Sequence, residues 1–321
     1  MSLDAVGWSG QRQAEFGAHA ADGLIPGRVV SEHRSHFRVA TDAGEFSAVM
    51  TGRLRNAAVQ RSDLAGVGDF VALRPAQGDG NATIEDVLRR HSALVRKASG
   101  EQRPQLLVAN VDIVFIVTAP DGDFNLPRIE RLLALVRDSG AVPVIILNKA
   151  ELADDLAGII KEIAEFAPGV AVHAISARSG DGISDIERYF AGNQTVGLIG
   201  SSGVGKSTLT NKLTGYSEQA TQEIRAHDSR GRHTTTHRQL FIRPQGGAVI
   251  DMPGMRGLEL WKSADNVEVD FDDIETLASG CRFRNCRHGA EPGCAVRAAV
   301  ERGDIEATRV ASYLSSAHER G

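Results

Sequence analysis

Cysteine is scarce in this chain: three in 321 residues, too few and odd in number for a disulfide scaffold. Long apolar runs are missing as well, since no stretch approaches the roughly 18 uninterrupted apolar residues that mark a membrane-spanning helix. Residues 1–23 carry Asp4, Arg12, Glu15 and Asp22 with no apolar segment among them, which argues against a signal peptide. Positive charge is not in excess either. A net charge of −5 excludes a generally basic nucleic-acid binder, so any nucleic-acid surface has to be local. These absences lead us to expect a cytoplasmic chain that avoids membranes and works as a monomer.

What is present suffices for a large core, with 42% hydrophobic and 24% charged residues, and the length suits two or three domains. Residues 1–23 read as a polar leader, expected to be mobile, with a helix from Gln11 to Ala21 and Trp8 as a packing anchor. In residues 24–93 five short alternating segments, near 27–31, 37–40, 45–50, 69–73 and 82–87, are separated by turn residues. They suggest a small closed β-barrel, either an oligonucleotide-binding (OB) fold or an SH3-like one. Its nine arginines, Arg28 to Arg90, face eight acids, so either a solvated arginine face or a phosphate-binding one fits. Residues 94–262 alternate apolar strands with amphipathic helices, the pattern of a doubly wound sheet with one antiparallel edge strand. Residues 263–321 form a smaller, helical C-terminal domain.

The strongest motif is the loop Gly200-Ser201-Ser202-Gly203-Val204-Gly205-Lys206-Ser207-Thr208, which matches GxxxxGK[ST] between an apolar strand and a helix. Its backbone N–H groups can cradle phosphates at the helix N-terminus. Lys206 would reach the β- and γ-phosphates, and Ser207 would hold a magnesium ion. Asn148-Lys149-Ala150-Glu151, at another strand end, resembles the NKxD motif that reads guanine, with Glu151 in place of aspartate. Ser176-Ala177 resembles the SA motif whose backbone contacts the guanine oxygen. Asp251-Met252-Pro253-Gly254 matches DxxG, with Asp251 near magnesium and the Gly254 N–H sensing the γ-phosphate. Between loop helix and final hairpin, Arg225 to Arg238 has the composition of a first switch. There Thr235, or failing that Thr234, would complete the magnesium shell. The position after DMPG is Met255, which cannot orient water, so His233 or another switch histidine is the candidate for that task.

The order of these motifs is NKAE, SA, phosphate loop, threonines, DMPG. An ordinary GTPase begins with the phosphate loop, so the chain reads as a circularly permuted P-loop GTPase. All three cysteines then fall in one short segment with a histidine: Cys281, Cys286, His288 and Cys294 make a closed set suited to one structural zinc. Arg282, Arg284 and Arg287, interleaved with them, could contact a phosphate backbone or serve as a solubilising rim.

With GSSGVGKST, GRHTTT at Gly231 to Thr236, DMPGMR at Asp251 to Arg256, NKAE and the zinc set, the chain resembles the circularly permuted ribosome small subunit-dependent GTPase A family, RsgA or YjeQ. The resemblance implies an N-terminal OB domain, a permuted GTPase and a zinc-binding C-terminal domain. It also implies GTP and GDP as ligands, the small ribosomal subunit and its rRNA as partners, and hydrolysis stimulated by that subunit. A hydrophobic residue at the glutamine position, as at Met255, agrees with it. A nucleotide-gated RNA-binding switch, with hydrolysis as a slow timer, is the rival reading. An ATP-dependent kinase is a third, weakened by the lack of an evident second substrate pocket.

Overall fold

The computed structural model describes residues 2–216 apart from 34, 59–60, 77–79, 98–103 and 122–123, then 238–252, and after these 277–278, 280–281, 283, 286, 288, 291–302, 304–305 and 310. The chain divides into two units, Met1–Leu260 and Trp261–Gly321.

In the first unit, five strands come first: β1 (Ile25–His33), β2 (His36–Thr41), β3 (Gly44–Met50), β4 (Phe70–Arg74) and β5 (Ala82–Val87). They close on themselves in the order β1-β2-β3-β5-β4 and back to β1, with β3 and β5 parallel, the other neighbours antiparallel, and the short helix α2 (Gly52–Ala57) following β3 in the chain. A five-stranded Greek-key closure of this kind is the OB solution of the two anticipated. Alternate side chains point inward, so Val29, Phe37, Val39, Val71, Leu73 and Ile84 fill the barrel.

The leader, expected to be mobile, is packed against the barrel. A short 3-10 turn, Leu3–Val6, precedes helix α1 (Gly10–Ala20), and Leu3, Val6 and Phe16 are buried. Trp8 meets Phe16 and Phe70 edge-on, with ring centroids 6.0 and 5.6 Å away. Polar ties add to this: the Leu3 N–H donates to Asp42 Oδ1 at 2.8 Å, and the Gly247 N–H donates to the Ala5 carbonyl at 3.0 Å.

A hairpin of β6 (Ala93–Lys97) and β7 (Pro104–Ala109) follows. Sequence alone missed it, because ALVRK is short and the second strand runs almost directly into the apolar stretch of the next. The doubly wound part then runs β8 (Ile113–Thr118), α3 (Leu126–Ser139), β9 (Val142–Leu147), α4 (Leu156–Phe166), β10 (Ala171–Ala174), α5 (Ile183–Glu187), β11 (Thr195–Gly200), α6 (Lys206–Thr214), β12 (Gln239–Ile242) and β13 (Ala248–Asp251). Strand order is β10-β9-β8-β11-β13-β12, all parallel except β12. Alternation along β8 explains the two layers. Val114 and Ile116 pack with Ile129, Leu132 and Ile163 of α3 and α4, while Phe115 and Val117 pack with Ile186, Leu209 and Leu213 of α5 and α6.

One expectation needs correcting. The antiparallel strand β12 is no edge: Gln239 lies opposite Ser31 of β1, so barrel and sheet share one eleven-stranded sheet. Arg28 belongs to the same junction and is 1% exposed, not part of a solvated face. Its guanidinium donates to the carbonyls of Gly68 (3.2 Å), Asn110 (2.8 Å) and Val6, and to Thr195 Oγ1 (2.7 Å). It also lies 4.6 Å over the Phe70 ring. Burial lowers its pKa to about 10, which leaves it charged at neutral pH. Arg90 is likewise structural, bidentate to the buried Asp69 with both contacts at 2.7 Å.

In the second unit, α7 (Ala295–Arg302) is the described helix. The sequence from Ala295 to about Ala317 reads as two helices split near Gly303-Asp304, and most of the second lies outside the described residues. Removal of the guanidinium in Arg28→Met strands four buried acceptors and is expected to cost about 3 kcal/mol of unfolding free energy. Urea titration measures this, and a loss below about 1 kcal/mol would mean the junction holds without it.

Candidate nucleotide site and metal centre

Five parallel strands end on one edge of the sheet, and ligands of doubly wound folds bind outside such carboxyl ends. Asn148 follows β9, Ser176 lies two residues past β10, Gly200 closes β11 and Asp251 closes β13. Tertiary structure thus brings the described residues of all four motifs to one edge.

The glycine loop has the backbone its sequence requires. Gly200 and Gly205 have φ of +146° and +93°. A Cβ on Gly200 would stand 2.1 Å from the Val117 carbonyl oxygen, and one on Gly205 would stand 2.3 Å from Asn148 Nδ2. Side chains larger than hydrogen are therefore excluded by neighbours as well as by torsion. Val204 is buried, whereas Ser202 and Gly203 face solvent. Lys206 Nζ donates to the carbonyls of Gly200 (2.7 Å) and Ser201 (2.5 Å), so the loop satisfies its own lysine. Helix α6 starts at Lys206 and points its N-terminus at the loop, with Ser207 and Thr208 exposed beside it.

Asn148 joins three motifs. It is 2% exposed; its Nδ2 donates to the Val204 carbonyl at 2.7 Å and its Oδ1 accepts from the Ala177 N–H at 2.9 Å. The Ala177 N–H, which the resemblance directs at a guanine oxygen, is engaged here by Asn148. Ser176 is buried, and its Oγ accepts from the Ser179 N–H at 3.3 Å. Lys149 adopts a left-handed backbone (φ +59°) and its Nζ lies 3.0 Å from Asp121 Oδ2. Glu151 is exposed on the 3-10 turn Ala150–Leu152, open to a ligand arriving at the edge.

Asp251 is 8% exposed and sits opposite Leu198, two residues before the glycine loop begins. A carboxylate here and the Ser207 hydroxyl supply hard oxygen donors of the kind that suit magnesium. His233, Thr234, Thr235, Gly254 and Met255 lie outside the described residues. Sequence reading passed over Asp121 and Arg128, which follow β8 on the same edge and touch Lys149 and Ser201. Their place beyond a strand end was the available signal.

In the second unit the ligand atoms of Cys281, Cys286, His288 and Cys294 all lie within 4.8 Å of one another. Cys281 Sγ is 4.0 Å from Cys294 Sγ, and each is 3.6 Å from His288 Nδ1. Ideal tetrahedral zinc would space sulfurs by roughly 3.8 Å and sulfur from nitrogen by roughly 3.6 Å. Backbone N–H groups at the start of α7 donate to two sulfurs, Ala295 to Cys281 at 3.3 Å and Arg297 to Cys294 at 3.4 Å. Burial opposes the Cys281 thiolate, but the N–H groups of Ala295 and Val296 bring its pKa below the ordinary value. The His288 N–H favours a thiolate at Cys286 too, yet burial and the two neighbouring sulfurs push that thiol up to about 11. A divalent cation would remove this conflict, so the donor set fits structural zinc. Arg282, Arg284 and Arg287 are outside the described residues.

Known proteins resemble this chain in sequence and in fold over most of its length. The model of the RsgA GTPase family matches residues 87–261. The small ribosomal subunit biogenesis GTPase RsgA 2 of Lactiplantibacillus plantarum is 44% identical over 292 residues, 91% of this chain and 82% of that one. The small ribosomal subunit biogenesis GTPase RsgA of Opitutus terrae is 43% identical over 323 residues, covering 98% and 88%. Among solved structures, YjeQ from Thermotoga maritima superposes with a TM-score of 0.56 at 28% identity, covering 92% of this chain and 98% of that one.

Two outcomes are expected from this geometry. Asn148→Ala removes both links between the loops and should weaken GDP binding by at least about tenfold in a fluorescent-nucleotide titration. Purified protein should carry about one zinc per chain by elemental analysis, and Cys286→Ser should lose most of it.

Proposed function

The chain belongs to the RsgA GTPase family, and from that premise we propose that it acts as a late assembly factor of the small ribosomal subunit, binding rRNA through its OB barrel and its zinc-binding unit. Its chemistry is GTP hydrolysis. The observation that carries the reading is the tie through Asn148 of the base-reading, SA and phosphate-loop segments at one sheet edge.

In this reading the guanine base lies against 148–151 and 176–177, and the phosphates lie in the glycine loop. The two oxygens of Glu151 accept hydrogen bonds from the guanine N1–H and exocyclic amine, a donor pair that adenine does not present. Lys206 leaves the carbonyls of Gly200 and Ser201 and turns to the β- and γ-phosphates. Backbone N–H groups of the loop and the N-terminus of α6 then stabilise charge on the transferred group as water attacks in line. Ser207, Asp251 and Thr235 would hold magnesium, which when bound neutralises charge on the β- and γ-phosphate oxygens. His233 would orient the water.

The names of the relatives support the ribosomal assignment. Barrel and nucleotide-binding sheet share one hydrogen-bonded sheet, which would let a surface on one report to the other. Phosphate release should be measured from GTP and from ATP, with and without small ribosomal subunits. We expect a preference for GTP and acceleration by the subunit; ATP preference without acceleration would overturn the proposal. GTP-dependent subunit binding with no acceleration would favour the slow-timer switch.

A further inference from the structure

The segment that joins β8 to α3 carries no recognised motif, yet together with the first turn of α3 it reaches both halves of the proposed nucleotide site. Its place explains why: β8 lies between β9, which leads to the base-reading segment, and β11, which leads to the phosphate loop. From this central position Asp121 contacts Lys149 Nζ at 3.0 Å on one side. On the other, Arg128 Nη1 donates to Ser201 Oγ, at the start of the phosphate loop. Both ends of the connection are locally braced. The Asp121 carbonyl accepts from the Phe124 N–H at 3.0 Å, and Asn125 Oδ1 caps α3 by accepting from the Arg128 N–H at 2.8 Å.

We propose that Asp121, after β8, and Arg128, in the first turn of α3, are positioning residues for the nucleotide: Arg128 holds the first half of the phosphate loop and Asp121 holds Lys149. The proposal rests on the nucleotide site described above. Three glycines of the loop, Gly200, Gly203 and Gly205, have positive φ, so torsional preference alone does not hold it in a phosphate-ready shape. Binding is strengthened when such a loop is ordered beforehand. The second half is pinned through the Val204 carbonyl by Asn148. The first half is held by Lys206 through the carbonyls of Gly200 and Ser201, but Lys206 has to release them in order to bind phosphate. Arg128 makes its bond to the Ser201 side chain and keeps it when Lys206 turns away. A charge-assisted bond suits that task, and the capped first turn of α3 gives it a fixed origin. Asp121 plays the lesser part, because its ion pair is about one-third exposed at both ends and therefore screened.

Neither residue touches the reacting atoms in this scheme, so substitutions should act on binding and leave chemistry at saturation nearly intact. Arg128→Ala is expected to raise the GDP dissociation constant and the KM for GTP by about tenfold, and Asp121→Asn by about threefold, with kcat changed less than about twofold. Arg128→Lys should recover part of the loss. Ser201→Ala should reproduce the loss, and combined with Arg128→Ala it should add little. Fluorescent-GDP titration and steady-state phosphate release measure these effects. Thermal unfolding checks that each variant is folded, and Arg128→Gln replaces any Arg128→Ala protein that is not. Folded Arg128 variants with wild-type affinity, or additive losses from Arg128 and Ser201, would overturn the proposal while Asn148→Ala still weakens binding. If Asn148→Ala and Lys206→Ala also leave affinity unchanged, the nucleotide-site reading fails with it.

Discussion

A single buried guanidinium fixes the relation between the parts of the first unit. Arg28 leaves water completely and is repaid by acceptors from four separate segments: the leader at Val6, the barrel at Gly68, the end of the β6–β7 hairpin at Asn110, and the loop strand β11 at Thr195. An unpaired charge at that depth would be prohibitive, so the four segments are held wherever they satisfy it. Neighbouring groups extend the same network. Arg12 of α1 reaches Asn110 Oδ1 at 2.9 Å, and Asp112 accepts from the Thr195 N–H at 2.7 Å while lying 3.1 Å from His91. Burial works against the Asp112 carboxylate, but His91 and the Thr195 N–H hold its pKa below the usual range.

This network explains why an OB barrel and a doubly wound sheet, each with its own core, form one compact unit. Strand β1 is buried on both faces: Val29 packs into the barrel and Val30 into the core shared with the leader and the sheet. Its far end pairs with β12, the strand that follows residues 217–237. The leader completes the junction by bonding the β2–β3 turn through Leu3 and the β12–β13 turn through Ala5. Polar ties of this kind specify position better than apolar packing does, because each leaves a costly unsatisfied group if the register slips.

At the nucleotide edge the logic is similar on a smaller scale. Glycines supply the torsions and close approaches, and side chains from neighbouring strand ends supply the restraint. Circular permutation leaves this intact, since the spatial order of the strands, not their order along the chain, brings Asn148, Ala177 and Val204 together. The second unit uses other means. Its three cysteines and one histidine converge on a point where a metal would tie together segments from Cys281 to the start of α7.

Much of this was legible in the residues. Glycine spacing, strand-end motifs and their permuted order identify a GTPase, because phosphate and guanine chemistry demands particular groups at short range in sequence. The cluster of three cysteines and one histidine, whose donor set fits zinc, was legible for the same reason, all four residues lying between Cys281 and Cys294. Hydrophobic period separated barrel from doubly wound sheet, but it left the barrel type open, since closure order is a matter of which strands meet. Composition also made Arg28 and Arg90 look like surface charge and residues 1–23 look loose. Only tertiary structure decided these, and likewise placed Asp121 and Arg128 beside the site. The partners of these four side chains lie 21 to 167 residues away, as for Arg90 with Asp69 and Arg28 with Thr195, and no local pattern encodes a contact at that range.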